Sequence, residues 1–142
     1  MQRSALERFI QAVIYEVVAV VFLTPVYAYA LDLPWDNSFA TMSMISVAVI
    51  IWAAIYNATF DKLMFRWSGR LAHQKTQILR VLHAALYEAT VTFIAVPIII
   101  VMSGKSLWVA LAADIAFSFV FAAYTYFFHL IYDRVRPVRA SS

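Results

Sequence analysis

Two glutamates stand inside apolar sequence with the same residue types around them. The segment R-F-I-Q-A-V-I-Y-E runs from Arg8 to Glu16, and R-V-L-H-A-A-L-Y-E runs from Arg80 to Glu88. An ionised carboxylate in hydrocarbon costs at least ~2.5 kcal/mol on insertion scales, so a glutamate at such a position is a functional candidate by default. Low dielectric favours the neutral acid, whereas an approaching cation favours the ionised form, so a membrane carboxylate can exchange a proton for a cation. Two such groups in one cavity repel each other and titrate as a coupled unit. They suit a dication. Asp114 is a third acid in apolar sequence, with methionine at the corresponding position 42; it is a candidate for an outer exit path or for accepting a proton from the outside. His83, near Glu88, is a candidate proton relay because imidazole titrates near neutrality, although a hydrogen bond at the helix end is its more common role.

Aromatic residues accompany the acids. Tyr15 and Tyr87 precede the two glutamates. Trp52, Tyr56 and Phe60 recur at a spacing of four, as do Tyr124, Phe128 and Tyr132, so each set forms a helical stripe. Ring faces attract delocalised cations by ~0.5–2 kcal/mol each. Trp52 and Tyr56 are the leading binding candidates among them; for most of the others, helix packing and an interfacial belt account for the pattern.

These groups need elements long enough to carry them across a bilayer. Of 142 residues, 64% are hydrophobic and 13% charged, too little polar surface to cover a water-soluble globule. Four apolar stretches, about 9–31, 39–60, 81–103 and 107–131, each reach the roughly 20 residues of a helical span. None alternates apolar and polar residues as a barrel strand would. The fold class is therefore all-α, a membrane protein with four transmembrane helices. Arg3, Arg8, Lys62, Arg66, Arg70, Lys75, Arg80, Arg134, Arg136 and Arg139 fall at the termini or in the central loop, against Lys105 in the other two loops. That bias predicts cytoplasmic N and C termini with one fixed insertion direction. The net charge of +3 follows from this topology, so nucleic acid is not implied as a partner; the lipid bilayer is. Ala28-Tyr29-Ala30 resembles a signal-peptide cleavage site, but Glu16 interrupts the apolar region that such a peptide requires. The chain has no cysteine, which excludes disulfides, thiolate metal sites and cysteine nucleophiles.

An offset of 72 residues carries Glu16 to Glu88, Arg8 to Arg80, Tyr15 to Tyr87, Pro25 to Pro97, Ser46 to Ser118 and Asp61 to Asp133 without any insertion. The chain reads as a tandem duplication of a helical hairpin. The expected units are 1–70 and 71–142, two parallel repeats related by an approximate two-fold axis along the membrane normal. That symmetry places Glu16 and Glu88 at one depth, where they can share a cavity. Ala12 and Ala84, midway between each arginine and its glutamate, leave space for close helix approach or a ligand. Pro25 and Pro97 each remove a backbone donor and are candidate kinks or hinges. Asp61 and Asp133 stand at the ends of helices two and four, where the dipole disfavours negative charge; Arg8 and Arg80 are their natural partners, as structural clamps or as an inner gate.

The sequences R-x-x-Q-A-x-x-Y-E at 8–16, W-x-x-x-Y-N-x-x-F-D at 52–61, R-x-x-H-A-x-x-Y-E at 80–88 and Y-T-x-x-F-H-x-x-Y-D at 124–133 resemble the four motifs of the proteobacterial antimicrobial compound efflux family. The resemblance covers nearly the whole chain. It implies an antiporter of the bacterial inner membrane, energised by the proton gradient without a cofactor, that exports cationic biocides such as chlorhexidine and acridine dyes, with short-chain diamines as physiological substrates. Proton coupling maps onto Glu16, and Asn57 keeps the family's amide in helix two. Gln11 stands where the family usually shows histidine, and His129 where it often shows asparagine, so a titrating histidine in the first motif is lost here. Two other readings remain open from the residues: a membrane assembly or scaffold protein, and a passive proton or cation channel. No catalytic triad, phosphate loop or metal-ligand spacing points to an enzyme. Four helices enclose little volume, which raises a parallel homodimer as the assembly.

Overall fold

The computed structural model describes residues 5–69 and 76–136, and these form four helices: α1 (Ala5–Leu31), α2 (Trp35–Ser68), α3 (Gln77–Ser103) and α4 (Leu107–Val135). Backbone groups in lipid must be satisfied within the segment, which long helices achieve. All four are long and apolar enough to cross a bilayer. Arg3, Arg70, Lys75 and Arg139, used above for orientation, lie outside the described residues, as does the boundary between the expected halves.

The helix ends follow from local chemistry. α1 stops at Asp32, whose φ of 51° is left-handed, and α3 stops at Gly104 with φ 67°. The two positions are 72 residues apart. Glycine takes this conformation without steric cost, and aspartate is among the few other residues that tolerate it. The Ser106 and Thr76 side chains accept from the backbone N–H of Val109 and Leu79 and so cap α4 and α3. α2 runs 34 residues, roughly 50 Å at 1.5 Å per residue, and so outreaches the ~30 Å hydrocarbon core. Here the structure differs from the sequence reading: α2 ends at Gly69 in the left-handed region, so Asp61 sits about two turns before the end. The apolar run stops near Phe60, but the charged residues after it continue the helix until glycine breaks it. Pro25 and Pro97 lie inside helices that are assigned without a break.

Each helix packs on the next in sequence, and α4 returns to α1 through Tyr124, whose hydroxyl donates to the Tyr15 carbonyl at 2.6 Å. The tight core lies near the α1–α2 and α3–α4 turns. Ala19, Leu23, Tyr27 and Leu31, spaced by four along α1, meet Met42, Val96, Ile99 and Ala110 there. Fully buried Ala110 and nearly buried Ala19 are small enough to let the helices approach closely. Toward the chain termini the buried side chains are larger, namely Tyr56, Met64 and Tyr132.

Candidate functional site

A cavity of about 570 Å³ runs through the bundle, lined by residues from all four helices. It extends from Tyr15 and Tyr87 to Tyr27 and Ile99, a length of about 18 Å along α1 at the helical rise. The α4 lining reads Asp114, Phe117, Ser118, Phe121, Ala122, Thr125, and the α2 lining reads Met42, Ile45, Val49, Ile50, Ala53. Both are one-faced helical stripes. Most lining positions come in pairs separated by 72 residues, among them Tyr15 with Tyr87, Glu16 with Glu88 and Met42 with Asp114.

Glu16 and Glu88 therefore meet in one space. Ser46 of α2 donates its hydroxyl to Glu16 Oε2, and Ser118 of α4 donates to Glu88 Oε2 at 3.1 Å. The same rung is built twice. The hydroxyl holds one carboxylate oxygen and leaves the other acceptor positions available. Asp114, 7% exposed, also lines the cavity, and its Oδ2 accepts from the Thr92 hydroxyl at 2.7 Å. Among the described residues, no group of three acidic, histidine or cysteine side chains is gathered closely enough to hold a metal ion. The three carboxylates are spread along the cavity. An apolar channel with separated anionic points suits an organic cation whose charges are distributed over its length.

The aromatic residues divide between two equivalent interfaces. Between α2 and α3, the Trp52 indole N–H donates to Thr90 Oγ1 at 2.9 Å, Tyr56 donates to the His83 carbonyl at 2.8 Å, and the Tyr56 and Tyr87 rings lie 5.3 Å apart. Between α4 and α1, the Phe128 and Tyr15 rings stand 5.1 Å apart, the counterpart of that pair at the same offset. Tyr15 also bonds Thr125 Oγ1 at 2.7 Å. Tyr15 and Tyr87 reach the cavity, but Trp52 and Tyr56 do not line it; they fill the α2–α3 seam. Asn57 is exposed and outside the lining. Ala12 and Ala84 are exposed as well, and Ala53, Ala95 and Ala122 supply the open space instead. Arg8, Arg80 and Asp133 are exposed and Asp61 is half-buried, all toward the chain-terminal end and away from the lining.

Thr92 and Thr125 of the site were not singled out by the sequence, and Ser46 and Ser118 were paired at the duplication offset without a role at the site. Ser46 and Ser118 carried a signal, since a hydroxyl recurs at the duplication offset within apolar runs. Gln11 and His129, the two departures from the efflux motifs, touch each other: Gln11 Nε2 donates to His129 Nδ1 at 3.0 Å across α1 and α4.

A family described as chlorhexidine efflux transporter matches the chain twice, at residues 3–66 and 75–138. The two matches are themselves 72 residues apart. A short-chain diamines transporter of Acinetobacter baylyi is 27% identical over 128 residues, covering 90% of this chain and 88% of that protein. One of Vibrio parahaemolyticus is 27% identical over 131 residues, covering 92% and 91%, and one of Acinetobacter baumannii is 24% identical over 128 residues, covering 90% and 86%. No solved structure matches this chain.

Proposed function

Because the chain belongs to the chlorhexidine efflux transporter family, the proteobacterial antimicrobial compound efflux proteins, we propose that it is a proton-coupled antiporter exporting cationic biocides and short-chain diamines across the bacterial inner membrane. One observation carries this reading. Glu16 and Glu88 line a single cavity, each with one oxygen held by a serine at the equivalent repeat position. In the cycle, a protonated glutamate meets a cationic substrate from the cytoplasm, the substrate's charge favours the ionised carboxylate, and the proton leaves. Exposure of the cavity to the outside then exchanges the substrate for a new proton. Glu16 is the coupling residue, Glu88 completes the anionic pair, and Tyr15 and Tyr87 close the inner end of the cavity with their rings.

The same proposal includes two parallel repeats, 1–70 and 71–142, with both termini cytoplasmic, and a parallel homodimer as the assembly. Recurrence of the serine–glutamate rung and of the tyrosine pairings at one offset supports the two-fold relation. Arg8, Arg80, Asp61 and Asp133 are assigned to the inner ends as clamps or gate, and Pro25 and Pro97 as hinges.

Proteoliposomes with an imposed pH gradient test the reading. Acriflavine should accumulate on the acidic side, and a protonophore should abolish the accumulation. Glu16→Gln should insert normally and accumulate nothing. A passive channel would instead dissipate the gradient without substrate, and a scaffold would move neither ion; each result would overturn the antiporter.

A further inference from the structure

We propose that Asp114 and Thr92 form a second ammonium subsite, which makes this transporter selective for linear diammonium ions of about butane length over monoammonium ions; this rests on the export function proposed above. The structure carries it through two successive rungs between α3 and α4. Ser118 bonds Glu88 in the first, and Thr92 bonds Asp114 in the second. Residues 88 and 92 are one turn apart on α3, and 118 and 114 are one turn apart on α4. The rungs therefore lie about 6 Å apart along the helices, about the separation of the nitrogens in an extended butanediamine.

The second rung breaks the duplication. The first has its full equivalent in Ser46 and Glu16, but the positions equivalent to Thr92 and Asp114 are Val20 and Met42. The cavity thus has a symmetric pair of carboxylates at one level and a single carboxylate one turn deeper toward the α3–α4 turn. Asp114 is 7% exposed, and among the described residues no lysine or arginine lines the cavity beside it. Burying a carboxylate there without a cation is expensive. Thr92 occupies one of about four acceptor positions of the ionised group, leaving the rest for an ammonium with three donors. A diammonium ion anchored by its first nitrogen at Glu16 and Glu88 reaches Asp114 with its second, and the apolar wall between them, including Val91 and Phe117, covers the methylenes. A monoammonium ion leaves Asp114 unmet.

The test compares butanediamine, butylamine and acriflavine on purified protein by intrinsic fluorescence, with proton release recorded in parallel. Asp114→Asn should weaken butanediamine relative to butylamine about tenfold or more, the loss expected for a charged hydrogen bond. Moving the rung to the other repeat, with Val20→Thr and Met42→Asp added to Thr92→Val and Asp114→Met, should restore the preference for butanediamine, and this variant carries the test should Asp114→Asn fail to fold. An unchanged ratio of butanediamine to butylamine in Asp114→Asn would overturn the subsite. Loss of acriflavine-driven proton release in that variant would also overturn it, making Asp114 a proton carrier. If the wild type bound none of the three cations, the export function itself would fail and the subsite with it.

Discussion

Glu16 and Glu88 were legible because an acid in apolar sequence has few structural reasons to be there, and the duplicated context doubled the signal. Their partners were harder to see. A serine in a membrane helix commonly bonds its own backbone, as Ser103 does to the Ile99 carbonyl at 2.5 Å, so residue type alone does not separate Ser46 and Ser118 from it; they were findable through the repeat offset alone. Gln11 and His129 teach a similar lesson. Read separately, each is a departure from the efflux motifs, one losing a histidine and the other gaining one. In three dimensions they form one hydrogen-bonded pair between α1 and α4. A double-mutant cycle on unfolding in detergent should therefore show coupling of about 0.5–1.5 kcal/mol between positions 11 and 129. Gln11→His combined with His129→Asn should retain wild-type stability, whereas Gln11→Ala should lose it. Additive single effects would show that the pair contributes nothing.

At the scale of the elements, the number of helices and three of their ends were readable: α1 stops at Leu31, α3 at Ser103, and α4 begins at Leu107. The far end of α2 was not, because helix terminators act independently of hydropathy and Gly69 lies nine residues past Phe60, where the continuous apolar run ends. Helical facing was also ambiguous. Trp52, Tyr56 and Phe60 form a true stripe, but a spacing of four says that residues share a face without saying which neighbour the face meets. α2 carries a second stripe through Met42, Ile45, Val49 and Ala53, rotated by one residue, and that one lines the cavity. The aromatic stripe instead binds α2 to α3, with a hydrogen bond from Trp52 to Thr90. Trp52→Phe should accordingly lower stability by about 1 kcal/mol, the net value of a neutral hydrogen bond, with the acriflavine Kd changed less than twofold. A large rise in Kd at unchanged stability would return Trp52 to the binding site.

For the whole molecule, duplication is the governing fact. It sets α1 and α3 to present equivalent glutamates to one space, gives each a serine from the following helix, and repeats the tyrosine pairing at the α2–α3 and α4–α1 seams. Glu16 is half-buried and Glu88 exposed, and both border the one cavity. At Asp114 the repeated pattern of the lining is broken, since the position 72 residues earlier is Met42. Large apolar side chains such as Phe93, 82% exposed, and Val101, 80% exposed, cover the outer surface, as a protein surrounded by lipid requires. The central claim is that a proton and a cationic substrate compete for the carboxylate of Glu16. Acriflavine added to purified protein in weak buffer, with the pH recorded, tests it most directly: the wild type should acidify the solution in proportion to dye bound, and Glu16→Gln should bind dye weakly and release no protons, whereas equal release by the two proteins would contradict the competition and remove Glu16 from the mechanism.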